Sequence, residues 1–275
     1  MTPTHPSPAM TAAPRTAADP WNPSQYERFK SQREQPFHDL VAMLGVRNPP
    51  RVADLGCGTG ALTAQLHRTV KARHTIGIDS SPTMLAQAGH HEKPGLRFVR
   101  ADISTWSPDG RLDLIFSNAA LQWIDDHPAL FMHLTTLLAP NGVLAVQMPA
   151  NFDHPSHTIA ADVALEEPYA SATGGHQRMS PVLTPEAYAH LLYDLGLRDL
   201  NVRLQVYCHE LPSSADVVEW VRGTLLTDYQ VRMPEAMFTS FVARYRERLL
   251  EVIGDHRPYL FAFRRILLRG RAASG

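Results

Sequence analysis

The sequence predicts an α/β fold in which a mainly parallel sheet carries helices on both faces. Short apolar segments alternate with longer amphipathic ones through the first half of the chain, which is typical of strands that alternate with helices. A glycine-rich turn, residues 56–60, follows the first apolar segment and leads directly into a helical pattern. With 275 residues and 44% hydrophobic residues, the chain suffices for one large domain, or for a core domain with a smaller cap.

The elements of the first half are placed by their apolar runs and by the turn residues between them. Ser80, Ser81 and Pro82 mark the start of one helix, because serine caps a helix well and proline fits its first turn. Further helices are predicted over residues 24–44, 61–70 and 128–138, and a turn is expected at 140–142. The predicted strands cover residues 51–55, 74–78, 96–101, 112–116 and 143–148.

The second half has a weaker pattern. Residues 150–183 show little periodicity and are interpreted as an insertion beside a cleft, and residues 213–256 are predicted to be mostly helical. Within the helical part, apolar side chains recur at helical spacing and are expected to pack in a core. These side chains are Met237, Phe238, Phe241, Val242, Tyr245, Leu249, Val252 and Ile253. A helix over 184–195 and strands over 198–210 and 259–268 complete the prediction.

The ends and the overall charge of the chain indicate an ordinary globular protein. Residues 1–18 are rich in Pro, Thr and Ala and are expected to form a disordered tail, so that the domain covers residues 19–275, with a cap formed by the insertions at 150–183 and 213–256. The net charge of −1 does not indicate a nucleic-acid or anionic-membrane partner. No segment approaches the roughly 18 apolar residues that span a bilayer. We therefore expect a cytoplasmic protein, and the oligomeric state stays open.

The glycine turn is the first candidate for a cofactor site. Gly56, Gly58 and Ala61 fit the dinucleotide pattern G-x-G-x-x-G/A between a strand and a helix, which alone is weak evidence. Asp54 precedes the turn, and a carboxylate there would repel a pyrophosphate but suits a ligand with an ammonium group. Asp79 ends the next strand, where a carboxylate can accept both ribose hydroxyls.

Two segments around these residues resemble a known family. D-L-G-C-G-T-G at 54–60 and I-D-S-S-P-T-M-L at 78–85 resemble the first two motifs of the class I S-adenosylmethionine-dependent methyltransferases. The resemblance implies a Rossmann-like sheet of seven strands in the order 3-2-1-4-5-7-6, with strand seven antiparallel. It also implies S-adenosylmethionine as the cofactor and S-adenosylhomocysteine as its product, bound beyond the carboxyl ends of the strands.

The same resemblance implies roles for individual residues. The backbone of the three glycines would approach the methionine part of the cofactor, and Asp79 would hold the ribose. Met84 and Ile103 would contact the adenine ring, Asp102 would accept from its amino group, and Asn118 would lie beside the methyl group. The implied cofactor-binding residues are Asp54, Gly56, Gly58, Gly60, Asp79, Ser80, Met84, Asp102, Ile103 and Asn118, with Arg33 as a candidate for the cofactor's carboxylate.

The acceptor has to be argued from the site, because this fold serves many acceptors. Methyltransferases that act on adenine or cytosine nitrogen commonly carry Asn/Asp-Pro-Pro-aromatic after strand four, whereas this chain has S-N-A-A-L-Q-W at 117–123. A nucleic-acid base is therefore not expected. No three carboxylates stand at a spacing that indicates a magnesium site, so no metal is expected either.

A closer resemblance extends over nearly the whole chain from Trp21 onward. The matching segments are W-N-P-S-Q-Y at 21–26, S-N-A-A-L-Q-W at 117–123, G-V-L-A-V-Q-M-P at 142–149, Y-C-H-E-L-P at 207–212, E-W-V at 219–221 and F-A-F-R-R at 261–265. They are similar to the bacterial trans-aconitate methyltransferases. This resemblance implies a small carboxylic acid as the partner and a monomethyl ester as the product.

The chemistry fits such an acceptor. A carboxylic acid has a pKa of roughly 4 and is already ionised at neutral pH, so no general base is expected and catalysis would consist of positioning. The remaining carboxylates need cations, and Arg33, Arg264 and Arg265 are the candidates. Neighbours on a strand face opposite sides, so only one of the last two can face the site; Arg264 is preferred. The predicted substrate-binding residues are Trp21, Trp123, Tyr207, His209, Trp220 and Arg264.

Three other interpretations stay open at this point. A methyltransferase for another small molecule would use the same cofactor site with an apolar acceptor pocket. An NAD-dependent oxidoreductase would use the same glycine turn. A catalytically silent binding module would keep the fold, although it would have no need of the acidic residues at the strand ends.

Overall fold

The computed structural model describes the backbone of residues 30–275 and the side chains of residues 34–275, and it contains one seven-stranded sheet in that part of the chain. The strands are β1 (Arg51–Leu55), β2 (His74–Asp79), β3 (Leu96–Arg100), β4 (Leu112–Asn118), β5 (Leu138–Pro149), β6 (Arg198–Leu211) and β7 (Tyr259–Arg271). The α-helices are α1 (Lys30–Met43), α2 (Ala61–Val70), α3 (Pro82–Ala88), α4 (His127–Thr136), α5 (Pro155–Ala164), α6 (Tyr169–Thr173), α7 (Pro185–Asp194), α8 (Asp216–Arg222), α9 (Leu225–Gln230) and α10 (Glu235–Ile253).

The sheet has the order β3-β2-β1-β4-β5-β7-β6, which confirms the predicted topology. The first five strands pair in parallel, and β7 is antiparallel to both β5 and β6. After β1 the chain forms β2 and β3 on one side of this strand, and it then crosses over to form β4 on the other side of β1. Ligands in such sheets bind beyond the carboxyl ends of the strands at this reversal. The ends of β1, β2 and β4 therefore face one common edge.

Most of the predicted elements are confirmed, and the boundaries of β5 are the main difference. Strand β5 begins at Leu138, although a turn was expected at 140–142. Asn141 does adopt a left-handed backbone with φ of 61°. Leu138 nevertheless pairs with Leu112, and pairing resumes at Val143 after a register shift. The turn thus interrupts the strand without ending its pairing with β4. Residues 24–29 of the predicted first helix, and the predicted tail at 1–18, lie outside the described residues.

Two helices, α5 and α6, occupy the segment in which only a loose insertion was expected. Helix α5 begins with His154 as its cap, and the imidazole Nδ1 of His154 accepts a hydrogen bond from Ser156 N at 3.0 Å. Histidine is not one of the usual capping residues, so the start of this helix lacks the common sequence signal. Ile159, Ala160 and Val163 form its short buried stripe.

The apolar core lies in three clusters. Two of them cover the two faces of the sheet, and the third joins α5, α6, α8, α9 and α10 to the start of β7. Phe241 and Tyr245 of α10 are fully buried in this third cluster, as expected, whereas Val252 is 57% exposed. Along the 19 residues of α10 the apolar stripe drifts gradually around the helix axis, so that Val252, near the end of the helix, no longer faces the core. The helices of the third cluster pack beside the carboxyl ends of β4 and β5. We refer to them together as the cap.

Candidate active site

The glycine turn after β1 is shaped by close backbone contacts. Gly56 and Gly60 have φ of 77°, and a Cβ on them would lie 2.1 Å from Ala120 Cβ and 2.9 Å from Ala88 Cα, respectively. A Cβ on Gly58 would meet no atom of the described residues within 4 Å, so Gly58 borders space that this part of the chain leaves open. The outer two glycines are therefore required by packing. The middle glycine leaves room for a ligand against the backbone.

Asp79, at the end of β2, ties this turn to the next helix. Its Oδ2 accepts a hydrogen bond from Gly58 N at 2.9 Å, and its Oδ1 accepts one from Ser81 N at 2.9 Å. Ser81 caps α3 and accepts from Met84 N at 3.1 Å, which confirms the predicted cap. Met84 is buried, and the side chain of Ser80 is exposed. A carboxylate is thus held beside the open space at Gly58.

Asp54 is a buried carboxyl group beneath the turn. Only 4% of its surface is exposed, and it accepts a hydrogen bond from Thr63 Oγ1 at 2.5 Å. Burial raises the pKa of Asp54 to about 7, and the Thr63 hydrogen bond opposes this shift. A cationic ligand group nearby would favour the ionised form and lower this pKa again.

Cofactor affinity is expected to depend on pH through Asp54. The folded pKa lies above the ordinary value of 3.8, so the ligand-free protein is stabilised by this proton at low pH and loses that stabilisation as the pH rises through about 7. Below pH 7, a cationic ligand must displace the proton. As the pH rises toward 7, the Kd of this ligand should therefore fall by up to about tenfold per pH unit.

Calorimetric titration of S-adenosylmethionine between pH 5.5 and 7.5 measures this dependence. In the Asp54→Asn variant, the affinity for S-adenosylmethionine should be lower, and residue 54 should no longer contribute to its change with pH. The ligand's own amino group titrates equally with both proteins, so the difference between the two slopes isolates Asp54. Equal slopes would remove Asp54 from the site.

The far side of the turn carries the two residues predicted for the adenine ring. Ile103 Cδ1 lies 3.8 Å from the position of a Cβ on Gly56, so it packs against the turn. Asp102 is exposed, and its Oδ1 accepts from both Ser104 N at 2.9 Å and Ser104 Oγ at 2.7 Å. These hydrogen bonds hold the pKa of Asp102 below its usual value. The carboxylate is thereby fixed at the rim of the same cleft.

Asn118 ends β4 beside the glycine turn. Its Oδ1 is buried and has no hydrogen-bond partner within residues 34–275. Ala119 follows with a left-handed backbone, φ of 56°, and its N donates to Gln147 O at 2.9 Å. This bend brings Ala120 against Gly56. The described cofactor candidates thus lie along one edge of the sheet, while Trp21 and the side chain of Arg33 lie outside the described residues.

A pocket opens beyond the bend, between the sheet and the cap. It encloses about 760 Å³, with open solvent at its mouth included. Among the described residues, its walls combine aromatic and aliphatic side chains with two guanidinium groups. The lining residues used below are Gln122, Trp123, Phe152, His157, Arg178, Trp220, Phe263 and Arg265.

The structure resolves the choice between the two adjacent arginines of β7. Arg265 lines the pocket and is only 5% exposed. Arg264 faces the other side of the strand, where it pairs with the Asp153 carboxylate and with Asn151 Oδ1. The expected alternation of faces is confirmed, and it is Arg265 rather than the preferred Arg264 that lines this pocket. The face of each side chain is set by how β7 pairs with β5 and β6, which lie far away in sequence.

Trp123 and Trp220 line the pocket, whereas Tyr207 and His209 lie behind its wall. The hydroxyl of Tyr207 donates to Asp39 Oδ2 at 2.7 Å, and the ring of His209 packs on Trp220 with centroids 4.7 Å apart. Burial lowers the pKa of His209 to about 4, so the ring is neutral at neutral pH. In this structure Tyr207 and His209 therefore support the wall and are not among the lining residues, and their role as donors to the substrate stays a prediction.

Arg178 is the most important residue that the sequence analysis missed. Its Cζ lies 4.0 Å from the centroid of the Trp123 ring, in a cation–π contact. The loop that carries it is anchored by Arg178 N, which donates to Tyr229 OH at 3.3 Å, and by the pair His176–Asp228 at 2.6 Å. No local sequence motif predicts the position of this loop, because the residues that anchor it belong to α9, about fifty residues further along the chain.

Three uncharged polar side chains of the described residues, Gln122, His157 and Thr224, also line the pocket without having been predicted. Gln122 donates from Nε2 to Ala119 O at 2.7 Å. Burial, followed by the charges of His154 and Arg178, lowers the pKa of His157 to about 3, so its ring is neutral at neutral pH. Among the residues that the structure describes, no cluster of three or more His, Cys, Asp or Glu could hold a metal ion. The same part of the chain has no helix long and apolar enough to cross a membrane.

The fold and the glycine cleft define the class of this protein. Residues 29–202 match the family described as a methyltransferase domain, and the chain belongs to it. It also belongs to the narrower family of the trans-aconitate 2-methyltransferases. The chain is 44% identical to the trans-aconitate 2-methyltransferase of Deinococcus radiodurans over 90% of its own length and 96% of that protein. It is 39% identical to the trans-aconitate 2-methyltransferase of Escherichia coli O1:K1 / APEC, over 91% and 98%.

Solved structures support the fold at lower identity. The YcgJ protein of Bacillus subtilis has a TM-score of 0.57 with 15% identity, over 88% of this chain and all of that chain. A phosphoethanolamine N-methyltransferase 2 from Haemonchus contortus, in complex with phosphomonomethylethanolamine and S-adenosylhomocysteine, has a TM-score of 0.56 with 16% identity, over 91% of this chain and 57% of that chain. These neighbours show the class I methyltransferase fold. Family membership excludes the NAD-dependent oxidoreductase among the earlier alternatives.

Proposed function

We propose that this protein transfers a methyl group from S-adenosylmethionine to a carboxylate of trans-aconitate, which yields a monomethyl ester and S-adenosylhomocysteine. The observation that carries the proposal is the pair Arg178 and Arg265 in a pocket whose other described lining residues are uncharged, directly beyond the bend after β4. The two curated relatives bear the name of this activity. A methyltransferase for an apolar acceptor would have no use for two guanidinium groups in this pocket.

The cleft along the strand ends suits the proposed cofactor. The open space at Gly58, the buried carboxyl group of Asp54 and the carboxylate of Asp79 match an amino acid part and a ribose. Met84, Asp102 and Ile103 would hold the adenine, and Asn118 would lie at the methyl group. When bound, S-adenosylmethionine supplies an electrophilic methyl group on a sulfonium. The proposed reaction needs no metal.

The two arginines would hold the acid from opposite elements. Arg265 comes from β7 of the sheet, and Arg178 comes from the loop after α6. Burial lowers the pKa of Arg178, which means that the pocket penalises its charge when no anion is bound. A bound carboxylate would offset this penalty and can accept two parallel hydrogen bonds from one guanidinium. A tricarboxylate therefore fits the charge of the pocket.

The remaining residues would position the acid and exclude water. The attacking carboxylate is already ionised at neutral pH, so no side chain has to remove a proton. His157 is neutral and can offer a hydrogen bond without adding charge. Trp123 and Trp220 form the aromatic walls, with the cap helices as a roof. Because opposite charges merge in the transition state, exclusion of water strengthens the attraction between the reactants.

Transfer of labelled methyl groups to a panel of di- and tricarboxylic acids tests the proposal. Trans-aconitate should be labelled strongly, and its cis isomer and citrate weakly, with the label released by mild base as expected for an ester. Binding of S-adenosylmethionine without labelling of any acid would overturn the carboxylate acceptor while keeping the methyltransferase fold. Labelling of an apolar acceptor instead would select the rival small-molecule methyltransferase.

A further inference from the structure

The side-chain amide of Gln147 on β5 has no hydrogen-bond partner among the residues that the structure describes. Gln147 is 0% exposed, and both Oε1 and Nε2 are buried without a partner. An amide in this state destabilises the fold, because it loses its hydrogen bonds to water and gains none in return. A leucine or methionine would fill the position without this penalty. The amide therefore points to a ligand that satisfies it.

The sheet register places Gln147 just below the pocket. Side chains alternate along β5, so Gln147 and Pro149 share a face, and Pro149 lines the pocket beside its β7 partner Arg265. In the other direction along the same face, Ala145 belongs to the apolar cluster that covers the sheet. Gln147 thus stands at the boundary between the apolar core and the pocket floor. Gln147 is not one of the lining residues in this structure, so its amide has to turn toward that floor to contact a ligand there.

A second unpartnered amide oxygen stands next to it. Asn118 pairs with Gln147 in the parallel register of β4 and β5, so their side chains are neighbours on one face. The Oδ1 of Asn118 is likewise buried without a partner in the described part of the chain. The β4 bend that follows packs on the glycine turn. Gln147 therefore lies between the cofactor cleft and the arginine-containing pocket, where the two reactants would meet.

We propose that Gln147 binds the carboxylate that receives the methyl group, with Nε2 donating to one carboxylate oxygen while the other oxygen stays free to react. This inference rests on the proposed function. The arginines would hold the carboxylates that do not react. The division has a physical reason: a cation on the reacting carboxylate would stabilise its negative charge most in the ground state, before the charge is lost in the reaction. A neutral amide orients the group with less of this stabilisation.

The Gln147→Met variant tests the inference, because it keeps the length of the side chain and removes its polar atoms. The ligand-free variant should unfold at a higher temperature than the wild type, since an unsatisfied buried amide is gone. Its kcat/KM for trans-aconitate should fall roughly 10- to 100-fold, as expected for a lost hydrogen bond to a charged group. The Kd for S-adenosylmethionine should not change.

Thr75→Val is the matched control, because Thr75 is a buried polar residue of β2 that is hydrogen-bonded to His67 Nδ1 at 2.8 Å. This variant should unfold at a lower temperature and keep its kcat/KM. If Gln147→Met also unfolds at a lower temperature, or methylates trans-aconitate as fast as the wild type, the assignment of Gln147 is overturned while the proposed function stands. If the wild type methylates no acid at all, both proposals are overturned together.

Discussion

Arg265→Met is expected to raise the KM for trans-aconitate by about 30-fold or more while leaving the Kd for S-adenosylmethionine unchanged. Arg265 is 5% exposed on the pocket floor, and truncating one partner of a buried, hydrogen-bonded charge pair costs about 2–5 kcal/mol of binding. Methionine retains the length of the side chain and avoids a cavity. Steady-state kinetics with each substrate varied in turn, together with calorimetric binding of the cofactor, measures both quantities.

The neighbouring residue supplies the control. Arg264 pairs with the exposed carboxylate of Asp153, and exposed pairs contribute about 0–1 kcal/mol. Arg264→Met should therefore leave the KM for the acid nearly unchanged. Arg178→Met should raise it, as Arg265→Met does, because Arg178 also lines the pocket. A large effect at Arg264 with none at Arg265 would reverse the assignment of the two faces of β7.

The two arginines of β7 show where sequence-based prediction stops. The alternation of side chains along a strand predicts correctly that only one of them faces the site. Which one does so depends on the antiparallel pairing of β7, in which Arg265 lies opposite Pro149 and Gln205. Those partners are remote in sequence, and no local pattern encodes the register. The choice therefore required the structure.

The cofactor cleft could be predicted more completely because its geometry is local. Asp54 and Asp79 each stand at the carboxyl end of a short strand, and the turns that follow are specified by adjacent glycine or serine residues. The acceptor pocket is assembled from distant parts of the chain. Arg178 reaches it only because its loop is anchored on Tyr229 and Asp228 of the cap. Gln147 likewise stands in an apolar stretch of sequence that looks like an ordinary core strand. Only the structure shows that its amide is fully buried.

Asp79→Ala is expected to raise the Kd for S-adenosylmethionine by about 100-fold or more, with the sheet intact. The variant would lose the hydrogen bonds that the Asp79 carboxylate is proposed to accept from the cofactor ribose, and each hydrogen bond that involves a charged group contributes about 1.5–3 kcal/mol. The variant also loses the two bonds by which Asp79 holds Gly58 N and Ser81 N, so the glycine turn is less ordered before binding. Calorimetric titration measures the affinity, and far-UV circular dichroism reports whether the fold is retained.

Asp102→Ala separates a specific role of Asp79 from a general loss of negative charge in the cleft. Asp102 is exposed at the rim and its hydrogen bonds go to Ser104, so its loss should weaken cofactor binding by roughly tenfold at most. Unchanged affinity in a folded Asp79→Ala protein would overturn the ribose assignment. Equal losses in the two variants would indicate that the cofactor senses the charge of the cleft rather than the carboxylate held at Gly58. A loss confined to Asp79 would assign both the ribose contact and the order of the turn to this one side chain.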